Sequence, residues 1–171
     1  MNALPQPDAA PTLAPMRLDE VDEVMAVELS AYSYPWTRGN VVDSLVAGHL
    51  AEVLRSADGE LLGYYIAMPG VDEMHLLNLA VAPAHQRRGH ARRMLDALVR
   101  HARARGVRTL WLEVRDSNLR AQSLYLRYGF VAVGRRRDYY PAAAGRREDA
   151  VLMSRALDTP GAAPGGPDAN D

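Results

Sequence analysis

The spacing of apolar residues along this chain changes several times, and each change marks an element. In "RLDEVDEVMAVELSAY", Leu18, Val21, Val24, Met25 and Leu29 recur near helical spacing. "WTRGNVVDSLVAG" reads as a second short helix with Thr37 at its N-cap. "HLAEVLRSADGELLGYYIAM" is two strand-like runs around Ala57-Asp58-Gly59, which predicts a hairpin. "VDEMHLLNLAVAP" predicts a further strand, stopped by Pro83. In "GHARRMLDALVRHARARG", Met94, Leu95, Leu98, Val99 and Ala102 form one helical stripe with arginines opposite, and Gly106 ends it. "VRTLWLEV" reads as a strand. "SNLRAQSLYLRYG" reads as a helix with Ala121, Leu124, Tyr125 and Tyr128 inward, stopped by Gly129. "FVAVGRR" and "EDAVLMSRAL" predict two last strands. The order implies an α+β domain, a mixed sheet with helices packed on it.

Two stretches do not fit a purely structural pattern. Glu113 interrupts the apolar strand Thr109–Val114. Alternation places Leu110, Leu112 and Val114 on one face and Trp111 and Glu113 on the other. Either Glu113 serves a site, or it is a half-exposed carboxylate paired with Arg115 or another arginine. The second stretch is "NLAVAPAHQRRGHARRML", where Gln86, Arg87, Arg88, Gly89, His90 and Ala91 join a strand to the arginine-rich helix. A helix start offers unpaired N–H groups and a positive dipole end, and small residues admit a close phosphate. The chemistry is that of a pyrophosphate cradle; the alternative is a surface helix start with solvated arginines. Neither a Walker A loop nor a dinucleotide fingerprint is present.

Composition narrows the classes. The chain's 171 residues suffice for one sizeable core. A net charge of −1 gives no global field toward nucleic acid or anionic membrane. The absence of cysteine excludes disulfides, thiolate metal sites and a cysteine nucleophile. His49, His75, His85, His90 and His101 show no ligand spacing, so no metal is expected. No apolar run or secretory signal is recognisable, and a cytoplasmic location is expected. Residues 1–15 read as a flexible Pro/Ala-rich arm, 16–157 as the domain, and 158–171 as a disordered Gly/Pro-rich tail.

Gln86 to Ala91 resembles the Gln/Arg-x-x-Gly-x-Gly/Ala segment that binds acetyl-CoA in the GNAT acetyltransferase superfamily. "NLAVAP" before it and "SNLRAQSLYLRYGF" after it are similar to further GNAT segments in the same order. "YPWT", "LWLEVRDSN", "LYLRYGF" and "GRRRDYYP…REDAVLM" resemble the RimI branch, which acetylates the N-terminal alanine of the eighteenth small-subunit ribosomal protein. Ala91 stands where many members have glycine, and "APAHQ" lacks an acidic residue often found there.

The resemblance implies a GNAT fold, a central mixed, mostly antiparallel sheet with a splayed strand pair and about four flanking helices. It implies acetyl-CoA as co-substrate and direct transfer to a protein N-terminus in a ternary complex. Glu113 would be the general base and Tyr125 the general acid. Asn118 would hold the pantetheine arm, and Asn78, Leu79, Ala80 and Val81 would act mainly through backbone groups. Gln86, Arg87, Arg88, Gly89, His90 and Ala91 would hold the pyrophosphate. Trp36, Tyr139 and Tyr140 would line a peptide groove. A monomer without nucleic-acid or membrane partners is expected. The rivals are acetylation of a small amine or of lysine side chains, and a non-enzymatic acyl-CoA or RNA-binding module.

Overall fold

A computed structural model describes residues 9–157. Seven strands form one sheet: β1 (Thr12–Pro15), β2 (Leu50–Arg55), β3 (Leu61–Pro69), β4 (Glu73–Val81), β5 (Thr109–Arg115), β6 (Val131–Pro141) and β7 (Arg147–Ala156). Their spatial order is β1-β2-β3-β4-β5-β7-β6. Only β4 and β5 run parallel; every other neighbouring pair is antiparallel. A parallel pair needs a crossover, and α3 (His90–Ala104) supplies it.

The sheet separates two apolar layers. On one side α3 and α4 (Leu119–Arg127) cover Tyr65, Leu79, Leu110, Leu112, Val114 and Met153. On the other, α1 (Val21–Ala31) and α2 (Arg38–Val46) cover Val53, Tyr64, Ile66 and Ala80. Local chemistry fixes the helix starts. The Thr37 hydroxyl accepts from Asn40 N–H (3.1 Å), and Asn40 Oδ1 accepts from Thr37 N–H (2.9 Å). All five residues of the predicted α3 stripe are buried.

Three expectations need correction. Thr12–Pro15, expected within the loose arm, pairs with β2 as an edge strand. The inward stripe of α1 is Val21, Val24, Val27 and Glu28, whereas Leu18 and Leu29 are exposed. Leu18 belongs to a short 3₁₀ turn before the helix, and buried hydrogen-bond donors draw Glu28 inward. Finally, β6 runs past Arg136 to Pro141, its register broken between Arg136 and Tyr140 where Asp138 adopts a positive φ. The tail 158–171 and the first eight residues lie outside the described residues.

Gly63 of β3 lies close against both β4 and α3. A Cβ there would lie 2.5 Å from the Ala80 carbonyl oxygen and 3.1 Å from Met94 Cε. The oxygen belongs to the paired strand and cannot retreat. Gly63→Ala should therefore cost about 2 kcal/mol or more in urea unfolding, at unchanged m-value.

Candidate active site

The site begins with a gap in the sheet. β4 and β5 pair only from Glu73 to Leu76 and from Thr109 to Leu112, although both strands continue. The register of β4 against β3 shifts at this point: Ala67 faces Leu76 and Ile66 faces Asn78, leaving Leu77 as the extra residue of a bulge. Past the bulge, Ala82 N–H donates to Leu62 (2.8 Å), so Ala80 and Ala82 present their backbone groups to β3. By alternation, Leu79 and Val81 turn theirs toward the gap. Side chains take both carbonyls: the Tyr32 hydroxyl donates to Leu79 O, and Gln86 Nε2 donates to Val81 O at 3.1 Å. The two N–H groups are left facing the gap.

A cleft of about 770 Å³ lies beside this edge, between the start of α3 and the inner face of α4. Arg87, Arg92, Arg120 and Arg127 line it, and among the described residues no carboxylate does. Gly89 caps α3 with φ +82°, a conformation that L side chains resist although a Cβ there would meet nothing within 4 Å. Gln86 Oε1 also accepts from Arg120 Nη1 (3.0 Å), tying α4 to the turn. His90 holds its proton less tightly than usual, first through burial and then through His85, Arg93 and Arg88. Gln86, Arg87, Gly89, His90, Ala91, Asn118, Leu79, Val81 and Tyr125 all border the cleft; Arg88 does not.

Asn118 is the N-cap of α4, its Oδ1 accepting from Ala121 N–H (3.1 Å). That leaves its amide N–H₂ for a ligand. The Tyr125 ring is buried edge-on against Phe130, with centroids 5.7 Å apart. Burial, then the Tyr140 phenol, pushes its pKa well above the ordinary phenol value. Asn78 acts through its side chain and away from the cleft, donating to Glu28 Oε2 (3.2 Å) and to the Tyr64 hydroxyl (3.0 Å). Glu28 is 1% exposed and also accepts from Trp36 N–H (2.8 Å) and from Tyr64.

The other face of β5 carries Trp111, Glu113 and Arg115, as alternation predicts. Trp111 stacks on His75 at 6.4 Å, and its indole N–H is buried without a protein partner among the described residues. The Glu113 side chain is 20% exposed and pairs with Arg136 Nε at 2.9 Å. Arg115 turns elsewhere, to Glu148 Oε1 (2.8 Å) and Pro141 O (2.7 Å). Its guanidinium lies between the rings of Tyr34 (4.7 Å) and Tyr140 (4.5 Å). Tyr140 meets Tyr139 edge-on at 4.9 Å, and Arg136 lies over Tyr139 at 5.5 Å. A run of rings and cations thus leads from the α1–α2 loop to Glu113.

The Tyr139 phenol is raised by the Glu113 carboxylate and then by burial. Tyr140 is pushed up to about 12, by burial first and then by Glu113. Burial raises the Tyr32 phenol too, and Tyr140 adds to the rise at both Tyr32 and Tyr125. Trp36 stands apart from this cluster, packed against the α1–α2 layer; Tyr34 reaches Arg115 instead.

Tyr32, Tyr34, Glu28 and Arg120 escaped the sequence reading. Glu28 carried a usable signal: a carboxylate on the helical stripe of Val21 and Val24, the same kind of misfit as Glu113. The assembled site has an arginine-lined cleft on one side of the sheet. On the other side it has a carboxylate ringed by phenols, and the β4–β5 gap joins the two. Such a site can hold an anionic donor and a cationic acceptor at once.

The acetyltransferase (GNAT) family model matches residues 21–130. The [ribosomal protein bS18]-alanine N-acetyltransferase of Haemophilus ducreyi is 38% identical over 135 residues, 79% of this chain and 92% of that protein. The Escherichia coli K12 protein of the same name is 35% identical over 143 residues, 84% and 95% of the two chains. The crystal structure of the Escherichia coli ribosomal-protein-S18-alanine N-acetyltransferase superposes with a TM-score of 0.81 at 33% identity. That superposition covers 88% of this chain and 96% of the other.

The Arg115–Glu148 pair supplies a pH test. The Glu148 carboxyl lies below its usual pKa of 4.5, chiefly through its hydrogen bond with Arg115. A depressed carboxyl stabilises the fold above the unfolded value and loses that contribution as pH falls through the folded one. Thermal midpoints followed from about pH 6 to pH 3 should fall less steeply for Glu148→Gln than for the wild type.

Proposed function

This chain belongs to the acetyltransferase (GNAT) family, and we propose that it acetylates a protein N-terminal α-amine from acetyl-CoA, its substrate being the N-terminal alanine of ribosomal protein bS18. The observation that carries this reading is the placement of Glu113 and Tyr125 on opposite faces of the sheet at the β4–β5 gap. The names of the relatives that match most of the chain support the choice of substrate.

Acetyl-CoA supplies a thioester whose carbonyl carbon accepts the amine. The residues present fit it. The unused N–H groups of Leu79 and Val81 offer an edge to an amide-bearing arm, with Asn118 Nδ2 across the cleft. Phosphates suit the α3 N-terminus, where Gln86, Arg87, Gly89, His90 and Ala91 form the turn and four arginines meet no carboxylate of the cleft lining among the described residues. Arg88 adds only long-range charge.

An α-ammonium has a pKa of about 7.7–8.0 and arrives mostly protonated. Glu113 takes that proton, directly or through a water, and frees the nitrogen lone pair. The Leu79 N–H, turned toward the gap, would donate to the oxygen on which charge develops. As the carbon–sulfur bond breaks, the Tyr125 hydroxyl donates toward the departing sulfur, and the second proton that the nitrogen sheds passes to solvent, which restores the phenol. Its raised pKa keeps the phenol protonated at neutral pH, so it remains a donor until that moment. With no cysteine to carry the acetyl group, the amine attacks the thioester directly. Tyr139, Tyr140 and Tyr34 line the peptide groove, and Trp36 shapes its loop through Glu28.

The assay pairs the full chain with acetyl-CoA and the bS18 N-terminal peptide, read by intact mass. One acetyl group should appear on the free-amine peptide and none on an N-blocked peptide containing lysine. Glu113→Gln should lower kcat by about 10²–10⁴-fold, with acetyl-CoA affinity held within about twofold. Tyr125→Phe should lower kcat by about 10-fold or more. An undiminished kcat in Glu113→Gln would remove the base from this scheme.

A further inference from the structure

The groove around Glu113 holds two arginines, Arg115 and Arg136, and the first is engaged by a carboxylate that takes no part in the reaction. Arg115 is held by Glu148, whereas Arg135 lies on the opposite face of the sheet, paired with Asp116 at 2.8 Å and with Asp149 at 3.9 Å. Arg136 differs. Among the described residues its one carboxylate partner is Glu113, at 2.9 Å. The Arg136 side chain is 54% exposed, so it can swing into solvent. Its guanidinium also lies over the Tyr139 ring at 5.5 Å, which gives it a second place to rest after leaving the carboxylate.

The acceptor of the proposed reaction arrives as a cation. An ammonium and a guanidinium compete for the same oxygens of Glu113. The carboxylate is only 20% exposed, and stripping it of any counter-charge in that position is unfavourable. A half-exposed ion pair is weak enough to be exchanged for another of the same sign. An uncharged group offers nothing in exchange.

We propose that Arg136 is a stand-in for the substrate ammonium: it occupies Glu113 in the free protein and is displaced onto Tyr139 when the α-amine binds. This inference rests on the reading of Glu113 as the base. Arg136 is a positioning residue. Guanidinium does not lose its proton in this range, so the proton that Glu113 later takes comes from the ammonium alone. The exchange keeps the carboxylate ionised and paired until the amine is in place. It also makes entry into the groove conditional on positive charge.

The test separates the amine from the rest of the peptide. Two ligands are titrated in the presence of CoA: the bS18 N-terminal peptide, and the same peptide with propionyl in place of its first alanine, which lacks the amine. In the wild type, the amine's gain at Glu113 is offset by the loss of Arg136 from it. Removing the competitor in Arg136→Gln should tighten the amino peptide by about threefold to tenfold. The propionyl peptide should change by less than about twofold, and Arg136→Lys, which restores a competing cation, should stay near the wild type. Equal changes for both peptides, no change for either, or weaker binding of the amino peptide alone would each overturn the exchange. If Arg136→Gln proves unfolded by thermal melting, Arg136→Met is read in its place. Wild-type turnover with an unresponsive Arg136 removes this inference only. A wild-type protein that acetylates no alanine peptide removes the functional reading and this one together.

Discussion

Everything in this site follows from the failure of β4 and β5 to remain paired beyond Leu76 and Leu112. A parallel pair in the middle of a sheet ordinarily satisfies its backbone groups by continuing the ladder. Here the bulge at Leu77 turns β4 away, and its backbone must find other partners. The solution is uneven. The carbonyls of Leu79 and Val81 are satisfied by side chains from α1's end and the α3 turn, while their N–H groups, turned toward the gap, meet no such side chain among the described residues. An edge with its acceptors covered and its donors open prefers ligands rich in carbonyl oxygen. The sheet has in effect been opened and then biased toward one class of occupant.

The fold was readable wherever periodicity was strong. α3 and β5 show it best, since an apolar stripe and an alternating strand each bury the side that the pattern specifies. The failures have physical causes. Thr12–Pro15 is an edge strand of only four residues, with proline at its end, and such segments carry almost no alternation. α1 is rotated from its apolar expectation because Glu28 is held inward by the hydroxyl of Tyr64, the amide of Asn78 and the N–H of Trp36. Those partners lie 8 to 50 residues away, so no local pattern contains them.

The candidate site divides in the same way. The turn from Gln86 to Ala91 is a contiguous motif and could be recognised as one. The aromatic and cationic wall could not, because Tyr34, Arg115 and Tyr140 come from three separate segments that meet only in the folded chain. Trp36 had the more conspicuous side chain, which packs against the α1–α2 layer, whereas the neighbouring Tyr34 reaches Arg115. Two carboxylates stand in apolar elements, and they do different work. Glu28 has hydrogen-bond donors and, among the described residues, no cationic partner, and it fastens α1, the α1–α2 loop and β4 together. Glu113 has an exchangeable cation and opens onto a groove.

The placement of donor and acceptor regions on opposite faces of one sheet also bears on how such a protein can change. The arginine-lined cleft is built by the α3 turn and α4; the aromatic groove is built by the α1–α2 loop and the β6–β7 hairpin. The two share little beyond β4, β5 and Tyr32. A substitution in the hairpin can therefore alter which polypeptide is accepted while the opposite face keeps its grip on its own ligand. The architecture is a partition with one aperture, and the two sides of a partition can diverge independently as long as the aperture is kept.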